Sequence, residues 1–194
     1  MARTIEQLRK EVLAANIEIF RRGLAQFTFG NVSGFDRERG VVVIKPSGVP
    51  YAKLTAKMLV ACDLNGQVAR GALRPSSDLP THLVLYRAFA GVNAIVHTHS
   101  PHATAWAQAG REIPCFGTTH ADHFHGSVPV TDAMTAREIS GDYEANTGHV
   151  IVRRFKGIDP LQVPAVLVRS HASFVWGSTV AKAVEYADVL ETVA

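Results

Sequence analysis

The chain has little of what would place a protein in a membrane or an oxidising compartment. Its 194 residues include two cysteines, Cys62 and Cys115, too few for a disulfide framework. No apolar run reaches the roughly 20 residues needed to span a bilayer. The start, MARTIEQLRKE, is charged and amphipathic, with no apolar export signal. These absences point to reduced thiols and a cytoplasmic location, with no membrane partner. Charge of one sign is also scarce: 20 Lys+Arg against 17 Asp+Glu gives a formal charge of +3. No basic stripe with interleaved aromatics stands out, so nucleic acid is not an expected partner. Small phosphorylated anions remain compatible with the mild positive balance. Internal repeats, low-complexity tracts and interdomain linkers are missing, and residues 1–194 read as one domain. The sequence also lacks the G-x-x-x-x-G-K-S/T nucleotide loop and the H-E-x-x-H metalloprotease motif.

What is present is a mixed pattern of helices and strands. Thr4 with Gln7 is a capping-box signal, and Leu8, Val12, Ala15 and Ile19 follow at helical spacing up to Gly23. VVVIKP (41–46) reads as a strand stopped by Pro46. Asn65-Gly66, between apolar runs in LVACDLNGQVARG, is a hairpin signal. The loop RPSSDLP precedes a helix over 80–89. AIVHT (94–98) reads as a short buried strand, and 101–109 as a helix opened by Pro101. Thr135 with Glu138 caps a helix running to about Glu144. HVIVRR (149–154) and AVLVRS (165–170) read as strands, and a last helix begins near Thr179 with Val180, Val184 and Ala187 on one face. This order predicts one layered α/β/α domain.

Histidine is concentrated. Six of the nine fall in NAIVHTHSPH (93–102) and GTTHADHFHG (117–126). His97 and His99 are two apart, which on a strand turns both rings to one face. Such a pair is either a half-built metal site or two polar groups bonded to backbone at a strand end. His171, after AVLVRS, supplies a third imidazole at another strand end. Three histidines leave a zinc ion open positions, as a catalytic site requires. Asp78 in PSSDLP is a candidate carboxylate beside them. His82 and His102 fall in predicted helices, His149 at a strand start, and His120, His123 and His125 around Asp122 in a loop.

Three polar loops accompany the histidines: FGNVSG (29–34), KPSG (45–48) and PSS (75–77). Each alone is a turn. Together, with Lys45 among them, they suggest a cradle for one phosphate on a small molecule.

The ordered motifs GNVSG, IKPSG, RPSSDLPTH, IVHTHSPHATAWAQAG, GTTHADHFHG and VLVRSHASFVWG resemble the L-ribulose-5-phosphate 4-epimerases. These belong to the class II aldolase superfamily, with the L-fuculose-1-phosphate aldolases. The resemblance implies a three-layer α/β/α fold around a mainly antiparallel sheet. It also implies a four-fold symmetric homotetramer with active sites between subunits. The cofactor implied is Zn²⁺ or a related divalent ion such as Mn²⁺ or Co²⁺. It further implies metal ligation by Asp78, His97, His99 and His171. Phosphate binding would fall to Gly30, Asn31, Ser47, Gly48, Ser76 and Ser77, with Lys45 touching substrate and Asp122 as acid/base. Where the aldolases typically carry glutamate after PSS, this chain has Asp78, as in the epimerases.

Departures are also visible. Arg169 and Ala172 flank His171 where His and Gly are more usual, and HADHFHG has histidines in place of tyrosines. A C-terminal tail with a tyrosine, and a histidine, is implied beyond the position of Ala194. The expected reaction on a phosphorylated ketopentose is inversion at C4 by breaking and remaking the C3–C4 bond. An aldolase is the neighbouring expectation, and a non-catalytic module like the adducin head domain the third.

Overall fold

A computed structural model of the protein describes residues 3–194. Helix α1 (Ile5–Arg21) opens with the capping box expected from sequence. The Thr4 hydroxyl accepts from the Gln7 N–H at 3.1 Å, and the Gln7 side chain accepts from the Thr4 N–H at 2.7 Å. Gly23, at φ 74°, carries the chain out of the helix.

Six strands form one sheet: β1 (Asn31–Asp36), β2 (Val41–Ile44), β3 (Val60–Asp63), β4 (Ala94–Thr98), β5 (Ala165–Leu167) and β6 (Ser173–Gly177). Their order is β3-β2-β1-β4-β6-β5, and every neighbouring pair is antiparallel. The period-two alternation of strands sorts the core into two layers. Val32, Val43, Val96 and Val175 pack on one face with α1 and α7 (Val180–Val193). Phe35, Ile95, Phe174 and Trp176 pack on the other with α2 (Leu79–Ala88) and α6 (Tyr143–Arg154). Helices α3 (Pro101–Ala109), α4 (Thr118–Ala121) and α5 (Ala136–Ser140) complete the chain. The expected α/β/α layering and antiparallel sheet are therefore present.

Several local readings need correction. HVIVRR is not a strand. It is the end of α6, where Thr147, Val150, Ile151 and Phe155 recur at spacings of three and four and form a buried stripe. His149, on the opposite side of that helix, is exposed. The helix capped by Thr135 stops at Ser140; Gly141 breaks it, and the Asp142 side chain caps α6. The return arm after Asn65-Gly66 is reduced to one bridge between Cys62 and Val68. FGNVSG is only partly a loop, since its second half is β1, a central strand buried throughout. β6 lies in a segment with no strand in the sequence reading.

Two glycines set helix positions by close approach. A Cβ on Gly148 of α6 would lie 2.7 Å from Val84 Cβ of α2. A Cβ on Gly34 of β1 would lie 2.7 Å from Leu8 Cδ1 and 2.9 Å from Val12 Cγ2 of α1. Overpacking of this kind costs about 1–3 kcal/mol. Gly34→Ala should therefore lower the unfolding free energy by about that amount. Urea titration followed by circular dichroism measures it; an unchanged midpoint would show that α1 gives way freely.

Candidate functional site

The sheet brings the sequence-distant histidines together because β4 lies beside β6. His97 is on β4 opposite Phe174 of β6, and its other neighbour is Asn31 of β1. His99 follows β4 directly. His171 sits in the tight turn from β5 to β6, closed by bonds from His171 N–H to Val168 O and from Val168 N–H to Ala172 O. Ser170, just before it, has φ 62°, a costly conformation for a residue with a side chain. That turn is pinned from outside by the Arg169 N–H on Thr131 Oγ1 and the Ser170 N–H on Ala107 O.

The three ring centroids form a near-equilateral triangle with sides of 4.9, 5.1 and 5.0 Å. One ring nitrogen from each lies within 4.8 Å of the other two. His97 Nδ1 is 2.9 Å from the Ser173 carbonyl oxygen. A carbonyl only accepts, so Nδ1 carries the proton and Nε2 presents its lone pair, 3.2 Å from His99 Nε2. A tetrahedral ion with Zn–N distances of about 2.0–2.1 Å needs nitrogens about 3.4 Å apart, which this pair already meets. The donor set therefore fits a divalent ion.

Protonation agrees with that fit. Burial, followed by the neighbouring His97, pushes the imidazole of His99 down, and burial with His97 and His99 pushes that of His171 down to about 4. Asp78 feels burial first, but His97, His82, His171 and the Asn31 amide outweigh it and hold its carboxyl below the usual range.

The expected phosphate residues line the same cleft, of about 470 Å³, with the histidines. Gly30 and Asn31 come from the start of β1, Lys45, Ser47 and Gly48 from the end of β2, and Ser76, Ser77 and Asp78 from the start of α2. At Gly30, φ is 79° and a Cβ would meet the His97 carbonyl at 2.8 Å, so only glycine lets β1 and β4 approach here. Lys45 is 2 % exposed. Its ammonium has only long contacts, 3.4 Å to Thr28 O and 3.5 Å to Pro46 O, and lies 4.9 Å from the Tyr51 ring centre. Burial pushes its pKa down. A sparsely paired buried cation favours an anion beside it.

Asp78 lines this cleft but lies outside the three-histidine cluster. Its Oδ2 accepts from Asn31 Nδ2 at 2.8 Å and Ser76 Oγ at 3.3 Å. It occupies the N-cap position of α2 without a capping bond from its side chain, so the carboxylate forgoes a local role worth about 1 kcal/mol. Asp122 does not join the cleft; it is exposed at the end of α4. The histidines near it have other partners: His120 Nε2 bonds Gly126 O at 2.7 Å, and His123 Nδ1 bonds Thr119 O at 2.8 Å.

The sequence reading left out Phe29, Tyr143 and Glu144 as cleft residues. The Tyr143 hydroxyl is 3.4 Å from His171 Nδ1. Its position at the start of α6 follows from Gly141 and the Asp142 cap, a local signal. That this helix start faces the β5–β6 turn is tertiary and has no local signal. A larger groove of about 760 Å³ between α1 and α7 has apolar walls at Val180 and Val184. Its arginines are already paired, Arg22 with Glu18 and Asp188, and Arg3 with Glu11.

The sequence profile of the Class II Aldolase and Adducin N-terminal domain family matches residues 10–194. The chain belongs to this family. Among solved structures it is similar to an L-fuculose 1-phosphate aldolase, with 24% identity and a TM-score of 0.81 over 96% of this chain and 82% of the other. YgbL from Klebsiella pneumoniae, described as a candidate aldolase/epimerase/decarboxylase, is 27% identical with a TM-score of 0.77, covering 99% of this chain and 88% of that one. The L-fuculose-1-phosphate aldolase of Thermus thermophilus is 26% identical with a TM-score of 0.75, covering 95% of this chain and 89% of that one. Within this family fold the chain carries a three-histidine cluster compatible with a divalent ion. Among the described residues, no helix is long and apolar enough to cross a membrane.

His97→Ala or His99→Ala should remove bound divalent ion while leaving the circular dichroism spectrum largely unchanged, because the backbone ladder of β4 with β1 and β6 uses neither ring. Full metal occupancy in either variant, read by elemental analysis, would overturn the assignment.

A second expectation concerns acid. Unfolded histidines protonate near 6.5, whereas native His171 stays neutral down to about 4. The unfolded chain then binds more protons, so this stability is complete above about 6.5 and is lost as pH falls towards the folded value. Metal affinity should also fall with acid, since a protonated His171 has no lone pair to offer. Stability that does not fall between about 6.5 and about 4 would contradict the depressed His171 value.

Proposed function

We propose that the protein is a divalent-metal-dependent epimerase that converts L-ribulose 5-phosphate to D-xylulose 5-phosphate. The observation that carries this reading is one cleft holding both the three-imidazole cluster and the buried Lys45 with its serine and glycine loops. Asp78, in place of the aldolase glutamate, supports the epimerase over the aldolase. Likeness to an L-fuculose-1-phosphate aldolase keeps sugar-phosphate cleavage as the second reading. The imidazole cluster counts against a non-catalytic module. Pentose catabolism in the cytoplasm is the setting this activity implies.

The hydrogen on C4 is not acidic, so direct proton removal there is unfavourable. Removing the proton of the C4 hydroxyl instead lets the C3–C4 bond break. Its electron pair passes into the C2 carbonyl, giving the enediolate of dihydroxyacetone, and C4 becomes the aldehyde of glycolaldehyde phosphate. The aldehyde turns over, C3 attacks its other face, and the new C4 oxygen takes up a proton. Atoms and electrons balance without an external oxidant. A bound Zn²⁺, or Mn²⁺ or Co²⁺, would supply Lewis-acid stabilisation of the enediolate.

His97, His99 and His171 hold the ion in this scheme, with Asp78 as the added carboxylate. Gly30, Asn31, Lys45, Ser47, Gly48, Ser76 and Ser77 hold the 5-phosphate, which stays with the turning fragment. Tyr143 lines the cleft, and burial raises its pKa, which keeps the phenol protonated and able to donate. Asp122 lies outside its own chain's cleft and acts as acid/base in the cleft of a neighbouring copy of a homotetramer.

Purified protein with Zn²⁺ and L-ribulose 5-phosphate should yield D-xylulose 5-phosphate. Accumulation of glycolaldehyde phosphate and dihydroxyacetone alone would instead support the aldolase. L-Ribulose without phosphate should be poorer by orders of magnitude in kcat/KM, since each charge-assisted bond is worth about 1.5–3 kcal/mol. Equal efficiency would sink the cradle. Asp122→Asn should lower turnover by about 10²–10⁴ with metal content unchanged; near-normal turnover would remove Asp122 from the mechanism.

A further inference from the structure

Beneath the cleft lies a polar chain that none of this chemistry uses. The Tyr86 hydroxyl is 2.6 Å from Ser33 Oγ, which is 2.7 Å from His82 Nδ1. All three residues are buried, with His82 and Ser33 at 0% exposure and Tyr86 at 1%. The direction of the chain follows from proton counting. Among the described residues, Ser33 Oγ is the hydrogen-bond partner of the Tyr86 hydroxyl. If the phenol donates to Ser33, the Ser33 proton goes to His82 Nδ1, and every hydroxyl proton is used. The opposite direction leaves the buried phenol proton without an acceptor and the Nε2 lone pair without a donor, two orphans in place of the single Nε2–H. His82 therefore carries its hydrogen on Nε2.

Among the described residues, that Nε2 is buried and has no hydrogen-bond partner, and the same is true of Asn31 Oδ1. One orphan is a donor and the other an acceptor, and both border Asp78. Asn31 bonds the Asp78 carboxylate. His82 is one helical turn beyond Asp78, with its N–H on the Asp78 carbonyl at 3.1 Å, a spacing that shares one helix face. Asn31 and Ser33 are two apart on β1 and point to the same face. The His82 ring also lies edge-on to Phe174, 6.0 Å away, and Phe174 stacks on His97 at 4.1 Å. His82 thus packs against the support of the imidazole cluster and is tied through its backbone to Asp78.

We propose that His82 is a positioning residue for this site: the Tyr86–Ser33 pair fixes its ring as the Nε2–H tautomer, and that N–H, free of any partner among the described residues, is kept available to the Asp78 carboxylate and favours its position beside the three histidines. This rests on the metal-site reading above. Partners that orient ligands in this way typically change metal affinity by about 10–100-fold when removed.

The test uses the full chain. Zn²⁺ affinity is measured by chelator competition, without substrate, for wild type and for His82→Leu, His82→Asn and His82→Gln, with folding followed by circular dichroism. Glutamine places an amide nitrogen near the Nε2 position, and asparagine reaches only as far as Nδ1. The expected order is wild type tightest, His82→Gln next, and His82→Asn and His82→Leu weaker by about 10–100-fold. A core-filling role would not separate Gln from Asn in this order. If the leucine variant does not fold, Ser33→Ala, which removes the middle of the chain, should weaken Zn²⁺ in the same direction. Side-chain ¹⁵N NMR should show His82 with its proton on Nε2. Unchanged affinity in folded variants, or a proton on Nδ1, overturns the proposal. A wild-type chain that binds no Zn²⁺ sinks the metal-site reading itself, and the positioning role with it.

Discussion

Three imidazoles with ring centres 4.9–5.1 Å apart can share an ion only if each presents an unprotonated nitrogen. Protonating one would place a cation against two neighbours in a partly dry cleft, and much of the surrounding structure follows from avoiding that. The rings come from β4, the residue after it and the turn that enters β6, and they meet because β4 lies beside β6. Phe174 lies flat on His97, and the Ser173 carbonyl takes the proton of its Nδ1. Both contacts keep the lone pair on the cleft side. The strained Ser170 is a further cost of turning the chain tightly enough to place His171.

The cleft then divides by charge. One side is a group of neutral nitrogen donors with a carboxylate nearby. The other is a buried, sparsely paired ammonium with hydroxyls around it. A ligand with oxygens at one end and a phosphate at the other matches both sides at once. Neither half alone would specify a sugar phosphate. Asp78 joins the two, bonded to Asn31 and Ser76 of the polar wall.

Residues with strong local signals were readable from sequence. The capping boxes at Thr4 and Thr135, the β4 run AIVHT and the KPSG and PSS loops behave as their local chemistry dictates. The failures share a cause. β1 contains Asn31, Ser33 and Gly34, poor strand formers whose places are set by the cleft, the buried polar chain and the close approach of α1. HVIVRR carries the β-branched run of a strand, but Gly148 packs against Val84 as part of a helix there. Asp78 reads locally as a helix cap and is used otherwise. Local rules give way where the site or a close packing contact has the larger claim. Tyr143 entered the cleft through tertiary placement alone.

The Gly148 contact has a consequence for how the cleft can be altered. It fixes the axis of α6 against α2 one turn past the residues that face the cleft, so Tyr143 and Glu144 project from a helix already anchored elsewhere. Phe29, at 56% exposure, likewise has little part in the core. The floor of imidazoles and loops is tied to the sheet, whereas this rim can be exchanged residue by residue. Diversification within such a scaffold is therefore separable: the size and shape of the molecule admitted can drift at the rim while the electronic part of the site is inherited unchanged.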